Sequence, residues 1–244
     1  APSCGRTGAK LRCPPRPPYQ FTLDNYESVM TRNGIGRNFL NSAAITIPVT
    51  LITVAVAAVA GYVFGRWKFA AREWLFVIVL ALLSVPLQMT LVPVLQMFSN
   101  LGIVGTFPAV WIAHVGYALP FSIYLLRNFF ANVPEELFES AAIDGASEWT
   151  VFRKITLPMT TPILAVNALN SFVAAYNSWE WAFLVCQEES NWTLAVWMYQ
   201  MSQQMGGQPW CVMAGFVLVS IPTALVFLAC QKIILRGIVL PSMK

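Results

Sequence analysis

The sequence predicts an all-α membrane protein, and three observations carry that prediction. Of the 244 residues, 57% are hydrophobic and 11% charged, against about 25% charged in an average soluble domain. So few charges cannot cover a water-soluble fold of this length. Apolar runs recur that match the roughly 20 residues a membrane-spanning helix needs. Prolines sit inside several of these runs: Pro48, Pro86, Pro93, Pro120 and Pro222. Spanning helices tolerate proline where neighbours or cavities re-satisfy the freed carbonyls, so this density favours kinked helices around a pathway over a simple anchor.

Residues 1–20 are rich in Pro, Gly, Arg and Lys and predict no regular structure. They are not a signal peptide, because no apolar core follows the charges before residue 40. Residues 21–41 predict a short amphipathic or loop stretch. Five spans follow, at 42–64, 74–98, 107–126, 161–185 and 212–235. Basic residues alternate between the loops. Arg66, Lys68 and Arg72 follow the first span, Arg127, Arg153 and Lys154 the third, and Lys232, Arg236 and Lys244 flank the end. Stretches 99–106 and 186–211 hold no Lys or Arg. The positive-inside rule places the three basic segments, and the C-terminus, in the cytoplasm. Five spans then put the N-terminus outside, although residues 1–41 carry Arg6, Lys10, Arg12, Arg16, Arg32 and Arg37. Either this basic tail is translocated or a preceding span is absent, and the second reading is favoured.

Several function classes drop out. The net charge of +4 is modest and dispersed, which argues against nucleic acid. Cys4, Cys13, Cys186, Cys211 and Cys230 form no CxxC pair and no metal-ligand spacing. A Cys186–Cys211 bridge stays open if both lie on an oxidising face. No GxxxxGK[ST] run is present, so the chain has no nucleotide site by that signature. The one histidine, His114, lies in an apolar run and reads as a packing or cavity-lining residue. No catalytic residues, cofactor or metal are expected.

The long hydrophilic loop 127–160 holds five of the eleven acidic residues: Glu135, Glu136, Glu139, Asp144 and Glu148. Pro134 suits the first position of a helix, and the glutamates behind it suit its positive end. Leu137, Phe138, Ala141 and Ala142 make an apolar stripe. Gly145 stops the helix with a positive φ, and Ser147 caps the next, which leads to Leu157-Pro158. Two readings stand: a solvated loop on the membrane surface, or a helix docked in a groove of a cytoplasmic partner. Ser140, Ala141, Ala142, Gly145 and Ala146 permit the close backbone approach that docking needs.

The fourth run is unusually polar and aromatic, with Asn167, Asn170, Tyr176, Asn177, Ser178, Trp179, Glu180 and Trp181. An intramembrane carboxylate usually faces a cavity, and amide, carboxylate and indole groups together suit a polyhydroxylated solute. Asn170, Tyr176, Asn177, Trp179 and Glu180 are the candidates for a solute path. An interfacial aromatic belt with helix–helix hydrogen bonds is the alternative.

The stretch Glu139-Ser140-Ala141-Ala142-Ile143-Asp144-Gly145-Ala146, followed by Phe152, Arg153, Ile155, Leu157-Pro158 and Pro162, resembles the EAA loop of ABC-importer permeases. The form is that of the carbohydrate-uptake, MalG-like type. Phe21-Thr22-Leu23-Asp24-Asn25-Tyr26 is similar to an extracytoplasmic FTLxNY stretch, Phe39-Leu40-Asn41-Ser42 to the FxNS entry of the second family helix, and Gly61-Tyr62-Val63-Phe64 with Arg66 to its GYxFxR exit. Gln231-Lys232 and Arg236-Gly237 match a closing QR–G pattern. The resemblance covers about residues 21–244 in family order.

This resemblance implies a permease subunit that moves a sugar or sugar-like solute across a bacterial or archaeal inner membrane. Its implied partners are an ATP-binding cassette subunit docked on the EAA loop, a second permease in a heterodimer and an extracytoplasmic solute-binding protein, all around a lipid bilayer. Glu139, Ala141, Asp144 and Gly145 become the residues that couple to the ATPase. The expected organisation is a truncated or mis-started extracytoplasmic segment at 1–41 and a permease domain at 42–244, with five retained helices of a six-helix fold. The chain departs from the family pattern in Ser140 at the second EAA position, in its 240–244 tail, and in Tyr176 where a Trp is usual. A secondary transporter is disfavoured because the spans lack paired ionisable residues and an inverted repeat. The proline-rich spans and the loop disfavour a scaffold.

Overall fold

The computed structural model describes residues 23–31, 34–204 and 209–238, with side chains to Leu235. Residues 1–22, including the basic N-terminal stretch and Phe21-Thr22, lie outside the described residues, as do 239–244. Among the described residues all regular structure is helical. Helix α1 is Asp24–Met30, α2 Ile35–Arg66, α3 Arg72–Leu82, α4 Leu87–Asn100 and α5 Phe107–Ala131. A short α6, Glu135–Ile143, precedes α7, Glu148–Val151, which continues through a π-helical turn, Phe152–Thr156, into α8, Leu157–Met159. Then follow α9, Thr161–Asn177, α10, Glu180–Val185, α11, Leu194–Gln204, and α12, Pro209–Ile238.

Helices α2, α5 and α12 are each long and apolar enough to cross a bilayer, and two bent pairs could raise the number of spans to five. Two of the expected spans are not single straight helices. The apolar run 74–98 is not one helix: α3 and α4 meet at 99°. Pro86 sits at the break with an extended ψ of 132°, because the residue before α4 has no N–H to continue the ladder of α3. Pro48, Pro93, Pro120 and Pro222, in contrast, lie inside unbroken helices. The run 161–185 is also interrupted. It ends as α9 at Asn177 and resumes at Glu180, Ser178 being extended with ψ 116°. Helix α9 itself bends by 77° from the preceding segment Glu148–Met159. The stretch expected as a loop at 186–211 contains α11, whose Leu194, Val196, Trp197, Met198 and Met201 are buried.

Three cores hold the bundle. At the α6 end, Ala57, Ala58 and Tyr62 of α2 pack on Ile123, Leu126 and Phe130 of α5 and on Phe152. Here the α2 and α5 backbones nearly touch. A Cβ placed on Gly61 would lie 2.9 Å from Leu126 Cβ and 3.1 Å from the Arg127 backbone nitrogen. Small residues at helical spacing (Ala57, Gly61, Gly65) create this approach, the usual device where lipid supplies no hydrophobic drive between helices. At the opposite end, Ile45 and Val49 pack with Phe98, Val110, Trp181 and Val185. Asn41 Nδ2 donates to the Ser190 and Trp192 carbonyls at 2.8 and 3.0 Å, and Leu194 N–H donates to Ser42 Oγ at 2.8 Å. A third core joins Val29 of α1 to Trp197, Met198 and Met201 of α11 and Ala214 of α12. The outer faces stay apolar. Met213, Phe216, Val217, Leu225 and Leu228 of α12 are all at least half exposed, which only lipid or another apolar subunit covers without cost. Cys186 and Cys211 are both buried and are not bonded to each other, so the Cys186–Cys211 bridge is not formed.

Candidate functional site

Two features gather the predicted site residues: the α6–α7 hairpin at one end of the bundle and a cavity within it.

Helix α6 begins at Glu135. Pro134 is its N-cap rather than its first helical residue, because its ψ of 134° is extended. Glu135 and Glu136 occupy the first turn, where the helix dipole favours them. The C-terminus closes in a Schellman motif: Ala146 N–H donates to Ala141 O at 3.0 Å and Gly145 N–H to Ala142 O at 3.1 Å. This closure needs the left-handed conformation that Gly145 adopts, φ +73°. Ser147 Oγ accepts from Thr150 N–H at 3.3 Å and caps α7.

The hairpin is anchored on the end of α2. The Arg66 guanidinium lies 3.6 Å over the Phe138 ring and 3.7 Å from the Glu135 carboxylate. Tyr62 donates from its hydroxyl to Glu148 Oε2 at 3.0 Å, and Trp67 Nε1 reaches the same oxygen at 3.4 Å. Tyr62 also packs its ring on Phe152 at 5.0 Å. The neighbouring helix ends are tied too: Arg127 of α5 bridges Glu73 of α3 at 3.3 Å and lies over Phe76. Anchoring settles which way α6 faces. Leu137 and Phe138 are half-buried and Ala141 is 6% exposed, so this side meets the bundle. Glu139, Asp144 and Gly145 lie on the open side, with Ile143 86% and Trp149 63% exposed beside them. Of the four proposed coupling residues, Ala141 therefore packs inward and the other three look outward.

The second feature is a cavity of about 430 Å³ between α2, α5, α9 and α10. Asn170, Asn177 and Glu180 line it together with His114, Tyr117, Ser171 and Trp181. Tyr176 and Trp179 do not line it. Tyr176 is buried and donates to Val219 O at 2.9 Å, which ties α9 to α12. Trp179 stacks on Tyr199 of α11, centroids 4.4 Å apart.

Some of these residues were not visible from sequence. Tyr62 and Glu148 meet across 86 positions, which no local pattern reveals, although the GYxFxR stretch marks Tyr62 and Arg66 as a pair. Tyr117 and Ser171 carry no motif at all. Their only signal is a polar group on an apolar helix.

Residues 57–239 match the family described as the binding-protein-dependent transport system inner membrane component. The chain belongs to this family. The permease is 40% identical over 228 residues to the osmoprotective compounds uptake permease protein GgtD of Synechocystis sp., which covers 92% of this chain and 76% of that protein. It is 36% identical to the alpha-glucoside transport system permease protein AglG of Rhizobium meliloti, with 98% of this chain matched to 65% of the relative. It is 34% identical to the trehalose/maltose transport system permease protein MalG of Thermococcus litoralis, over 93% and 82%. Its fold superposes with a TM-score of 0.72, at 19% identity, on a bacterial ABC transporter involved in the import of alginate, covering 85% of this chain and 78% of that one. It is thus an inner-membrane permease subunit of an ABC importer, a transport component, and ATP hydrolysis belongs to a separate subunit of such systems.

Proposed function

We propose that this permease carries a neutral sugar or sugar-like solute, and that its α6–α7 hairpin docks on the ATPase subunit. The observation that carries the docking reading is the two-sided hairpin. Its apolar side is pinned to α2 by Arg66, Tyr62 and Glu148, and its acidic side, with Ile143, is open. A rigid attachment on one side and an uncovered face on the other is what force transmission requires. In this reading Glu139 and Asp144 meet basic groups of the partner, Gly145 fixes the angle between the two helices, and Ala141 seats α6 on the bundle. Asn170, Asn177 and Glu180 belong to the solute path. The positive-inside rule puts the hairpin and the C-terminus in the cytoplasm. The exposed apolar face of α12 suits lipid or a second, non-identical permease, and a solute-binding protein delivers from the other side. The sugar reading is supported by the relatives named for alpha-glucoside and trehalose/maltose transport.

The test is affinity purification from native membranes. The tagged permease is expected to bring down an ATP-hydrolysing subunit and a second permease, and Glu139→Lys to reduce recovery of the ATPase while leaving the second permease bound. Recovery of the chain without any ATPase, from membranes where it supports uptake, would contradict the reading.

A further inference from the structure

The turn between α2 and α3 carries a surface that belongs neither to the cavity nor to the hairpin. Residues 68–74 form a shallow, open hollow of about 530 Å³. Its charged groups are Lys68, Arg72 and Glu73. The Glu73 carboxylate is engaged on both oxygens. Arg72 donates to Oε1 from Nη2 at 2.6 Å and from Nε at 2.9 Å, and Arg127 of α5 donates to Oε2 at 3.3 Å. Two guanidiniums therefore share one carboxylate, and one positive charge is left over. The Lys68 ammonium adds a second: it is exposed and makes no ion pair among the described residues. Arg66, Glu135 and Glu148 belong to the hairpin anchor and do not line the hollow. Arg72 is also fixed in place, because its Nη1 donates to Trp67 O at 3.3 Å, and its planar fork keeps N–H donors to spare.

The surroundings are those of a lipid boundary. The apolar run of α2 ends at Phe64, after the roughly 20 residues that cross a hydrocarbon core, so the hollow that follows lies at the level of the headgroups. On either side of it the helices turn apolar faces outward. Val56 and Val59 of α2 and Val77, Ile78 and Leu82 of α3 are 43–57% exposed. The hollow itself adds Phe69 and Trp74, 37% and 76% exposed, and exposed aromatic rings beside basic groups suit the membrane interface. Charge selects the headgroup. Phosphatidylcholine brings a quaternary ammonium beside its phosphate, which Lys68 and Arg72 repel. Phosphatidylglycerol brings the phosphate with an uncharged glycerol. Arg and Lys are the side chains suited to phosphate, and each near a membrane surface favours an anionic lipid.

We propose that the α2–α3 turn is a binding site for an anionic phospholipid, its phosphate held by Lys68 and Arg72 and its glycerol backbone lying against Phe69 and Trp74. The site depends neither on the proposed solute nor on docking of the hairpin, so it stands or falls separately from both.

The experiment uses the assembled importer in nanodiscs of equal phosphatidylglycerol and phosphatidylcholine, each supplied in turn with a photoactivatable analogue. Cross-linked residues are mapped by mass spectrometry, and labelling of the exposed face of α12 is the internal reference for every variant. The phosphatidylglycerol analogue is expected to label residues 67–75 at least about five-fold more than the phosphatidylcholine analogue. Lys68→Gln should cut that labelling by about five-fold, the scale of one basic group at an anionic surface, while Lys68→Arg retains it and the α12 labelling stays the same. Soluble glycerol 1-phosphate at millimolar concentration should not displace the lipid. Equal labelling of the turn by the two lipids, or no change with Lys68→Gln, would overturn the site and leave an ordinary lipid boundary. Displacement by glycerol 1-phosphate would make it a free-anion site and overturn the lipid assignment. A turn that neither lipid labels, and that cross-links to another subunit instead, is a protein contact and equally overturns it.

Discussion

Gly145→Asp is expected to leave the importer assembled and hydrolysing ATP while uptake falls by at least about ten-fold, a change of ~1.4 kcal/mol in coupling. The spans are untouched, so insertion should proceed normally. A Cβ at Gly145 would meet nothing within 4 Å, so the substitution does not crowd the bundle. Its effects are two. The left-handed φ of +73° costs a side-chain-bearing residue roughly 1–2 kcal/mol, less for Asn and Asp. The new carboxylate also projects into open space beside Asp144, at the negative end of the α6 dipole, on the face proposed to meet the ATPase. Gly145→Asn separates the two effects because it tolerates the same backbone without adding charge. It should retain most of the uptake, and Gly145→Val, β-branched at a positive φ, should lose it through strain. Parallel measurement of uptake and ATP hydrolysis in vesicles reads all three.

Gly61→Leu is expected to destabilise the permease itself. The added side chain would enter a space where Leu126 Cβ is 2.9 Å and the Arg127 backbone nitrogen 3.1 Å away. A backbone atom cannot swing aside as a flexible side-chain end can, so α2 and α5 must separate. Over-packing of this kind costs about 1–3 kcal/mol or more, and separating the helices would also strain the Tyr62–Glu148 and Arg66–Phe138 contacts that seat the hairpin. The detergent-solubilised protein should melt roughly 5–10 °C lower. Gly116→Leu, on α5 with nothing within 4 Å of its Cβ, is the control and should change the melt little. An unchanged melt for Gly61→Leu would mean that α2 and α5 are not in backbone contact.

The sequence made the hairpin legible because its signals are local. A positive-φ glycine, a serine cap and an acidic first turn each act within a few residues, and Gly145, Ser147, Glu135 and Glu136 behave as those rules require. The facing of α6 was not legible. The apolar stripe at Leu137, Phe138 and Ala141 suits a partner groove as well as the bundle, and only the distant Arg66 and Tyr62 decide between them. The helices at 35–66 and 107–131 followed from hydropathy, but α2 begins seven residues before the apolar run, since the polar Asn41 and Ser42 at its start find partners across the fold. Hydropathy cannot see the break at Pro86, because a bent pair and a straight span have the same composition. It also cannot separate Tyr176 and Trp179 from Asn170, Asn177 and Glu180. All five lie in one polar stretch, yet Tyr176 on α9 turns to Val219 and Trp179 to Tyr199 while Asn170, Asn177 and Glu180 line the cavity.

Docking of the hairpin is tested most directly by an Ile143→Cys substitution on a background lacking the five native cysteines. Ile143 is 86% exposed and sits on the open side of α6, next to Asp144 and Gly145. If the hairpin is the docking element, the introduced thiol forms an oxidant-induced cross-link to a cysteine placed in the surface groove of the co-purified ATPase subunit, and cross-linking arrests uptake until the disulfide is reduced. A thiol at position 143 that stays freely reactive to a water-soluble maleimide in the assembled, transporting complex would contradict the docking of α6.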